Sequence, residues 1–132
     1  MSDVEAWTHD DEYFMAKALE LAARGLYSTA PNPRVGCVIV KNGYIVGEGW
    51  HVASGQAHAE VIAIKQAGAE TSGATLYVTL EPCAHQGQTP PCVDAIINVG
   101  INRVFVSSRD PNPLVNGKGV ERLKANGIKV FE

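Results

Sequence analysis

A short apolar run, Val35–Lys41, constrains the fold more than any other part of the chain. It is rich in β-branched residues and almost uniformly apolar, which predicts a strand buried on both of its faces. Asn42-Gly43 follows directly and is a strong hairpin signal, so we expect Tyr44–Trp50 to return as an antiparallel partner strand. A chain of 132 residues has room for one such core and therefore for one domain.

Helices and further strands are predicted to alternate around this hairpin. Thr8 and Asp11 form a capping-box pattern at the start of a helix predicted over Asp10–Arg24. Other helices are predicted at Gln56–Gly68, Pro90–Val99 and Val120–Asn126, and other strands at Leu76–Leu80, Ile101–Ser107 and Ile128–Phe131. A helix and a hairpin followed by strand–helix units predict an α/β layer structure with a mixed sheet.

Two clusters of chemically active residues lie at the boundaries of these elements. His58-Ala59-Glu60 lies near the start of the second predicted helix, Cys83 follows the third strand, and Cys92 lies in the first turn of the next helix. Residues two apart in a mature helix point about 200° away from each other, so His58 and Glu60 can share a site only if His58 lies where the helix begins. One imidazole and two thiolates are the ligands of a catalytic zinc site with an open fourth position. Glu60, not a ligand, is then predicted to move protons.

Simpler interpretations stay open for these residues. Single cysteines are usually small buried residues, and Cys37, inside the apolar strand, is predicted to be one. A purely structural zinc site would have four protein ligands, and His85 or His51 could supply the fourth. The chain has three cysteines, an odd number that argues against a disulfide framework.

The charge pattern limits the partners that we expect. The chain has 11 basic and 14 acidic residues, a net charge of −3, and no cluster of Lys and Arg. A nucleic-acid-binding surface would normally show a basic stripe. No apolar run approaches the roughly 18 residues of a membrane span, and the acidic N-terminal segment is unlike a targeting signal. We therefore predict a cytoplasmic protein with neither a nucleic-acid nor a membrane partner.

The order His58-Ala59-Glu60, Pro82-Cys83 and Cys92 resembles the H-x-E…P-C-x-x-C signature of the cytidine-deaminase-like zinc hydrolases. The chain departs from it in one respect, because eight residues and not two separate Cys83 from Cys92. This long segment resembles the metal loop of the riboflavin-biosynthesis pyrimidine deaminases. Further stretches similar to that family are Pro31–Val40, Gly49–His51, Asp110–Pro113 and Gly117–Gly119.

The resemblance implies a three-layer α/β/α sandwich around a mixed five-stranded sheet. It implies one Zn²⁺ per chain on His58, Cys83 and Cys92, with Glu60 as the catalytic residue. The implied reaction is hydrolytic deamination of 2,5-diamino-6-(5-phosphoribosylamino)pyrimidin-4(3H)-one to 5-amino-6-(5-phosphoribosylamino)uracil and ammonia. By position, the residues implied to contact the base and ribose are Asn32, His51, Asp110 and Asn112, with His85 near the phosphate.

Two further departures from the family affect these expectations. Gln88 stands where the family usually has Lys or Arg near the phosphate, so one cationic contact would be missing. The family's deaminase is usually fused to a C-terminal NADPH-dependent reductase domain. We expect residues 1–132 to form a single deaminase domain without it. Two alternatives stay open: a fragment whose full-length parent carries the reductase domain, and a free-standing deaminase. The resemblance also implies a homodimer or a larger homo-oligomer.

Two alternative functions stay open at this point. One is another zinc deaminase, acting on tRNA adenosine, on guanine or on a cytosine nucleotide. The other is a zinc-stabilised binding module without catalysis. Glu60 separates the two classes, because a structural zinc site has no use for an unligated carboxylate beside the metal.

Overall fold

The computed structural model describes residues 7–24, 34–51, 58–84, 92–110, 113 and 116–132. The helices are α1 (His9–Ala23), α2 (Ala59–Ala67), α3 (Cys92–Asn98) and α4 (Lys118–Ala125), with a 3-10 helix at Gly68–Thr71. The strands are β1 (Gly36–Lys41), β2 (Tyr44–Trp50), β3 (Thr75–Val78), β4 (Arg103–Val106) and β5 (Lys129–Phe131). In the part of the chain that is described, none of the helices has the length and hydrophobicity needed to cross a membrane.

The strands form one mixed sheet of five in the order β2-β1-β3-β4-β5. β1 pairs antiparallel with β2 and β3, whereas β3, β4 and β5 are parallel. Asn42 and Gly43 have positive φ angles of 53° and 82°, as the tight turn between β1 and β2 requires. The hairpin and the mixed sheet are therefore confirmed.

The sheet is covered on both faces, which gives three layers. One face of the sheet packs with α2, α3 and α4, and the residues in that layer include Cys37, Ile39, Ala63, Ile96 and Leu123. The other face packs with α1 and a group of aromatic side chains, and the residues there include Met15, Leu21, Val38, Tyr77 and Phe105. Cys37, Val38 and Ile39 are fully buried, so the strand buried on both faces and the core position of Cys37 are confirmed.

The start of α1 forms as predicted. The Thr8 hydroxyl accepts a hydrogen bond from the Asp11 N–H at 3.1 Å, and the Asp11 carboxylate accepts one from the Thr8 N–H at 2.8 Å. This reciprocal pair is the capping box, which satisfies two amides that the helix itself leaves without partners.

Other element boundaries differ from the predictions by a few residues. Helix α2 has His58 at its N-cap and so begins later than the predicted Gln56, which lies outside the described residues. Helix α4 begins at Lys118, two residues before the predicted start at Val120. This earlier start depends on a carboxylate from another segment, described below, which the local sequence does not reveal.

Candidate active site

His58 lies where helix α2 begins, as its pairing with Glu60 required. Its backbone is extended (φ −74°, ψ 160°), and it is the N-cap residue of the helix. The His58 carbonyl already accepts the first helical hydrogen bond, from the Ile62 N–H at 3.2 Å. Because His58 precedes the regular turn, the helical angle between residues two apart does not apply to it. The predicted position of His58 is confirmed.

The two cysteines are brought to His58 by the end of β3 and the start of α3. The Cys83 sulfur accepts a hydrogen bond from the Cys92 N–H at 3.4 Å, and the Cys83 carbonyl accepts one from the Val93 N–H at 3.1 Å. His58 Nδ1 lies 3.1 Å from Cys92 Sγ. One donor atom from each of His58, Cys83 and Cys92 lies within 4.8 Å of the others.

This donor set fits a zinc ion. Imidazole nitrogen and thiolate sulfur are the ligands that Zn²⁺ takes in proteins, and three protein ligands with one open position characterise its catalytic sites. Within the described ranges, the group contains no fourth His, Cys, Asp or Glu. The three side chains therefore suit a metal that keeps a position for water.

The electrostatics of the cluster favour the thiolate, which is the ligand form, at Cys83 and the neutral thiol at Cys92. A hydrogen bond from the Cys92 thiol lowers the pKa of Cys83. The same hydrogen bond, with Cys92 as the donor, raises the pKa of Cys92, and burial of the thiol adds to the rise. The hydrogen bond of His58 with Cys83 raises the pKa of the imidazole. The pairing therefore favours the thiolate, the form that binds a cation, at Cys83.

Glu60 is a buried carboxylate beside this cluster. It lies in the first turn of α2 and is only 4% exposed. Burial raises the pKa of Glu60 to about 7, and the charge of Cys83 adds to the rise. A general acid–base group works best when its pKa lies near the working pH, so Glu60 is suited to accept and return a proton.

Two of the five predicted substrate contacts lie in the described residues. The His51 ring lies 5.3 Å from the His58 ring, between centroids, and His51 is buried directly after β2. Asp110 follows β4 and donates its N–H to the Glu81 carboxylate at 3.1 Å. The other three predicted contacts, Asn32, His85 and Asn112, lie outside the described residues. Gln88 also lies outside them.

Gly49 has a part in the site that its sequence neighbours did not reveal. A Cβ at this position would collide with the Ala59 carbonyl oxygen and would lie 2.9 Å from the Ala63 nitrogen. Only a residue without a side chain lets the first turn of α2 lie this close to β2. Gly49 therefore sets the position of His58 and Glu60 relative to the sheet.

Glu81 was also missed by the sequence reasoning. It is 5% exposed and its carboxylate accepts hydrogen bonds from three backbone amides. The sequence did contain an indication of this role. Glu81 lies between a buried strand and Pro82-Cys83, and a carboxylate buried there needs hydrogen-bond donors or a cation to offset the loss of hydration. The identity of the partners could not be deduced, because they lie 29 to 39 positions away.

Comparison with known proteins identifies the family whose sequences this chain resembles. Residues 8–108 match the family model described as the cytidine and deoxycytidylate deaminase zinc-binding region. The riboflavin biosynthesis protein RibD of Escherichia coli is 60% identical over 120 residues, which are 91% of this chain and 33% of that protein. The diaminohydroxyphosphoribosylamino-pyrimidine deaminase of Buchnera aphidicola (subsp. Acyrthosiphon pisum) is 55% identical over 121 residues, 92% of this chain and 82% of that protein.

A solved structure has the same fold as this chain. Acinetobacter baumannii RibD superposes with a TM-score of 0.91 at 59% identity, over 92% of this chain and 34% of that one. The chain thus spans about a third of the length of the RibD relatives, and 82% of the Buchnera protein. The three-layer arrangement with a mixed five-stranded sheet is confirmed as the fold of this group.

Proposed function

Because the chain belongs to the cytidine and deoxycytidylate deaminase zinc-binding family, we propose that it is the pyrimidine deaminase of riboflavin biosynthesis. Its substrate would be 2,5-diamino-6-(5-phosphoribosylamino)pyrimidin-4(3H)-one, and its products 5-amino-6-(5-phosphoribosylamino)uracil and ammonia. The observation that carries the chemistry is the convergence of His58, Cys83 and Cys92 beside the buried Glu60. The substrate is supported by the 55% identity to a protein with this deaminase name, of which the chain covers 82%.

His58, Cys83 and Cys92 would hold one Zn²⁺ per chain. When bound, the ion supplies the Lewis acidity that activates water at neutral pH. The protein's own contribution is to fix three ligands on three separate elements and to leave a side open towards the substrate. The His58 backbone is fixed by α2, and the two cysteines are fixed to each other by the Cys92 N–H.

Glu60 would move the protons that the reaction requires. Its carboxylate would take a proton from the attacking water and transfer it to the ring nitrogen, while the water oxygen bonds to the ring carbon that bears the 2-amino group. It would then take the remaining proton from that oxygen and deliver it to the departing amine. The C–N bond to the 2-amino group then breaks, a carbonyl takes its place, and ammonia leaves. The raised pKa of the buried Glu60 supports this role, because both of its protonation states are accessible near neutral pH.

His51 and Asp110 would contact the base and ribose, together with Asn32 and Asn112, and His85 would lie near the phosphate. The position of His51 next to His58 supports its assignment. Asp110 is supported by the anchoring of its backbone on Glu81, next to the metal-ligand segment.

We also propose partners and a location for the chain. The RibD relatives are about three times as long as the region that they share with this chain, which supports a reductase domain in a full-length parent. A homodimer or larger homo-oligomer and a cytoplasmic location stay predictions from the sequence.

Ammonia release tests the proposed function directly. Zinc-loaded protein is incubated separately with the diaminopyrimidinone ribosyl phosphate, cytidine, guanine and adenosine. Ammonia from the first compound alone is the expected result. Ammonia from only one of the other three compounds would contradict the proposed substrate but would still support a zinc-dependent deaminase. No ammonia from any of the four, with zinc bound, would overturn the enzyme and favour a zinc-stabilised binding module.

A further inference from the structure

One buried carboxylate joins two segments of the chain that flank the candidate active site. Glu81 Oε1 accepts hydrogen bonds from the Asp110 N–H at 3.1 Å and the Gly117 N–H at 2.9 Å, and Oε2 accepts one from the Val120 N–H at 3.1 Å. Glu81 is 5% exposed; its bonds to Gly117 and Val120 are buried, and its bond to Asp110 is partly buried. A carboxylate that accepts three amides in such surroundings fixes their relative positions firmly.

Two of the three donors belong to the start of helix α4. Gly117 is the N-cap of this helix, has a φ of +81°, and carries no side chain that could cap it. In an ordinary capping box the N-cap and N3 residues satisfy each other's amides. Here Glu81, from a distant segment, accepts from both the N-cap amide of Gly117 and the N3 amide of Val120.

Helix α4 can approach Glu81 only because Gly119 lacks a side chain. A Cβ on Gly119 would collide with the Pro82 carbonyl oxygen and would lie 3.2 Å from the Glu81 Cγ. The start of the helix is therefore seated directly on the two residues that precede Cys83.

The main chain of Glu81 leads straight to the metal-ligand segment. The Glu81 N–H donates to the Ser108 carbonyl at 2.8 Å, just beyond the end of β4. Pro82 then connects it to Cys83, whose sulfur and carbonyl both accept amides of α3. The separation between Cys83 and Asp110 is thus determined by one residue, through its backbone on one side and its carboxylate on the other.

We infer that Glu81 is a positioning residue that holds Asp110 at a fixed distance from the metal ligand Cys83. This inference rests on the proposed function in so far as Asp110 contacts the substrate. Glu81 itself would act only through the backbone that it anchors. A Gln in its place keeps the size of the side chain but exchanges one acceptor oxygen for an NH₂ group, which opposes at least one of the three N–H donors.

A split between KM and kcat tests this inference. In zinc-loaded Glu81→Gln we expect KM for the diaminopyrimidinone ribosyl phosphate to rise about tenfold, the factor produced by one weakened polar contact. Because the metal ligands and Glu60 are unchanged, kcat should stay within about threefold and the zinc content should equal that of the unmodified protein. Glu121→Gln, which changes an exposed carboxylate in the first turn of the same helix, should alter neither constant. A wild-type KM in Glu81→Gln, with only a lower melting temperature, would overturn the inference.

A double variant separates action through Asp110 from a general loosening of the fold. If Glu81 acts by placing Asp110, then Glu81→Gln combined with Asp110→Ala should have the KM of Asp110→Ala alone. KM increases that multiply in the double variant would overturn the inference. Should Glu81→Gln fail to fold, Gly119→Ala disturbs the same contact from the helix side. It should raise KM in the same way, and a wild-type KM there would also count against the inference.

Amide hydrogen exchange keeps this inference distinct from the proposed function. If the unmodified protein releases no ammonia, the proposed function fails, but the exchange experiment still applies. Faster exchange of the Asp110 amide in Glu81→Gln than in Glu121→Gln, with no change in α2, would support the positioning role. Equal exchange of the Asp110 amide in the two variants would overturn it.

Discussion

His58 Nδ1 lies 3.1 Å from Cys92 Sγ, although the two residues are 34 positions apart in the sequence. Each lies at the beginning of a helix, His58 as the N-cap of α2 and Cys92 as the first residue of α3. The starts of α2 and α3 thus bring the His58 and Cys92 side chains together, and Cys83, which follows β3, lies beside them. The metal site therefore depends on the packing of three elements and is sensitive to changes in any of them.

Replacement of one sulfur ligand should release the metal. We expect Cys92→Ser to bind zinc at least about tenfold more weakly than the unmodified protein, because a hydroxyl is a much poorer ligand than a thiolate. Zinc per chain is measured after dialysis against a weak chelator. Cys37→Ala is the matched control, since Cys37 is a fully buried thiol of the core and should not affect the zinc content. Unchanged zinc in Cys92→Ser would contradict the assigned ligand set.

Replacement of the buried carboxylate should remove turnover and leave the metal bound. Glu60→Gln is expected to lower kcat for ammonia release by about 10²–10⁴-fold, because an amide cannot accept and return the proton. Glu70→Gln, which alters an exposed carboxylate shortly after the same helix, should retain full activity. Zinc content and ammonia release are measured on the same samples. Turnover in Glu60→Gln equal to that of the control would remove Glu60 from the mechanism.

A methyl group at Gly49 should disturb both stability and metal binding. It would collide with the Ala59 carbonyl, so we expect Gly49→Ala to lose about 1–3 kcal/mol of unfolding free energy, the usual cost of overpacking. Because Ala59 follows His58 directly, zinc affinity should fall as well. Urea unfolding and a zinc titration measure the two effects. A variant with wild-type values in both would show that α2 can shift without cost.

The buried hydrogen bond between Tyr77 and Asp11 should contribute measurably to stability. The Tyr77 hydroxyl donates to Asp11 Oδ1 at 2.6 Å, on the face of the sheet opposite the metal site. Tyr77→Phe leaves this buried oxygen without the hydroxyl donor and should cost about 1–3 kcal/mol. Tyr44→Phe is the control, because Tyr44 is 76% exposed. Equal urea midpoints for the two variants would show that the Tyr77 bond is energetically neutral. Zinc content should be unchanged in both.

Much of the fold could be predicted from neighbouring residues. The Thr8–Asp11 capping box, the Asn42-Gly43 turn and the apolar strand β1 each depend on interactions within a few residues. The metal ligands could also be proposed from the local sequence. His58, Cys83 and Cys92 are of the residue types that bind zinc, and each lies at the boundary of a predicted helix or strand. Their roles, like those of Glu60, His51 and Asp110, stay predictions.

The sequence by itself determined which segments become helices and strands and which side chains can bind a metal or carry a proton. Tertiary structure alone decided how those segments lie against each other. Gly49 and Gly119 are needed because a helix backbone passes where a Cβ would be, and Glu81 is needed because three amides converge on it from another segment. Local propensities act between neighbours along the chain, whereas close packing and buried hydrogen bonds join residues that only the folded chain brings together.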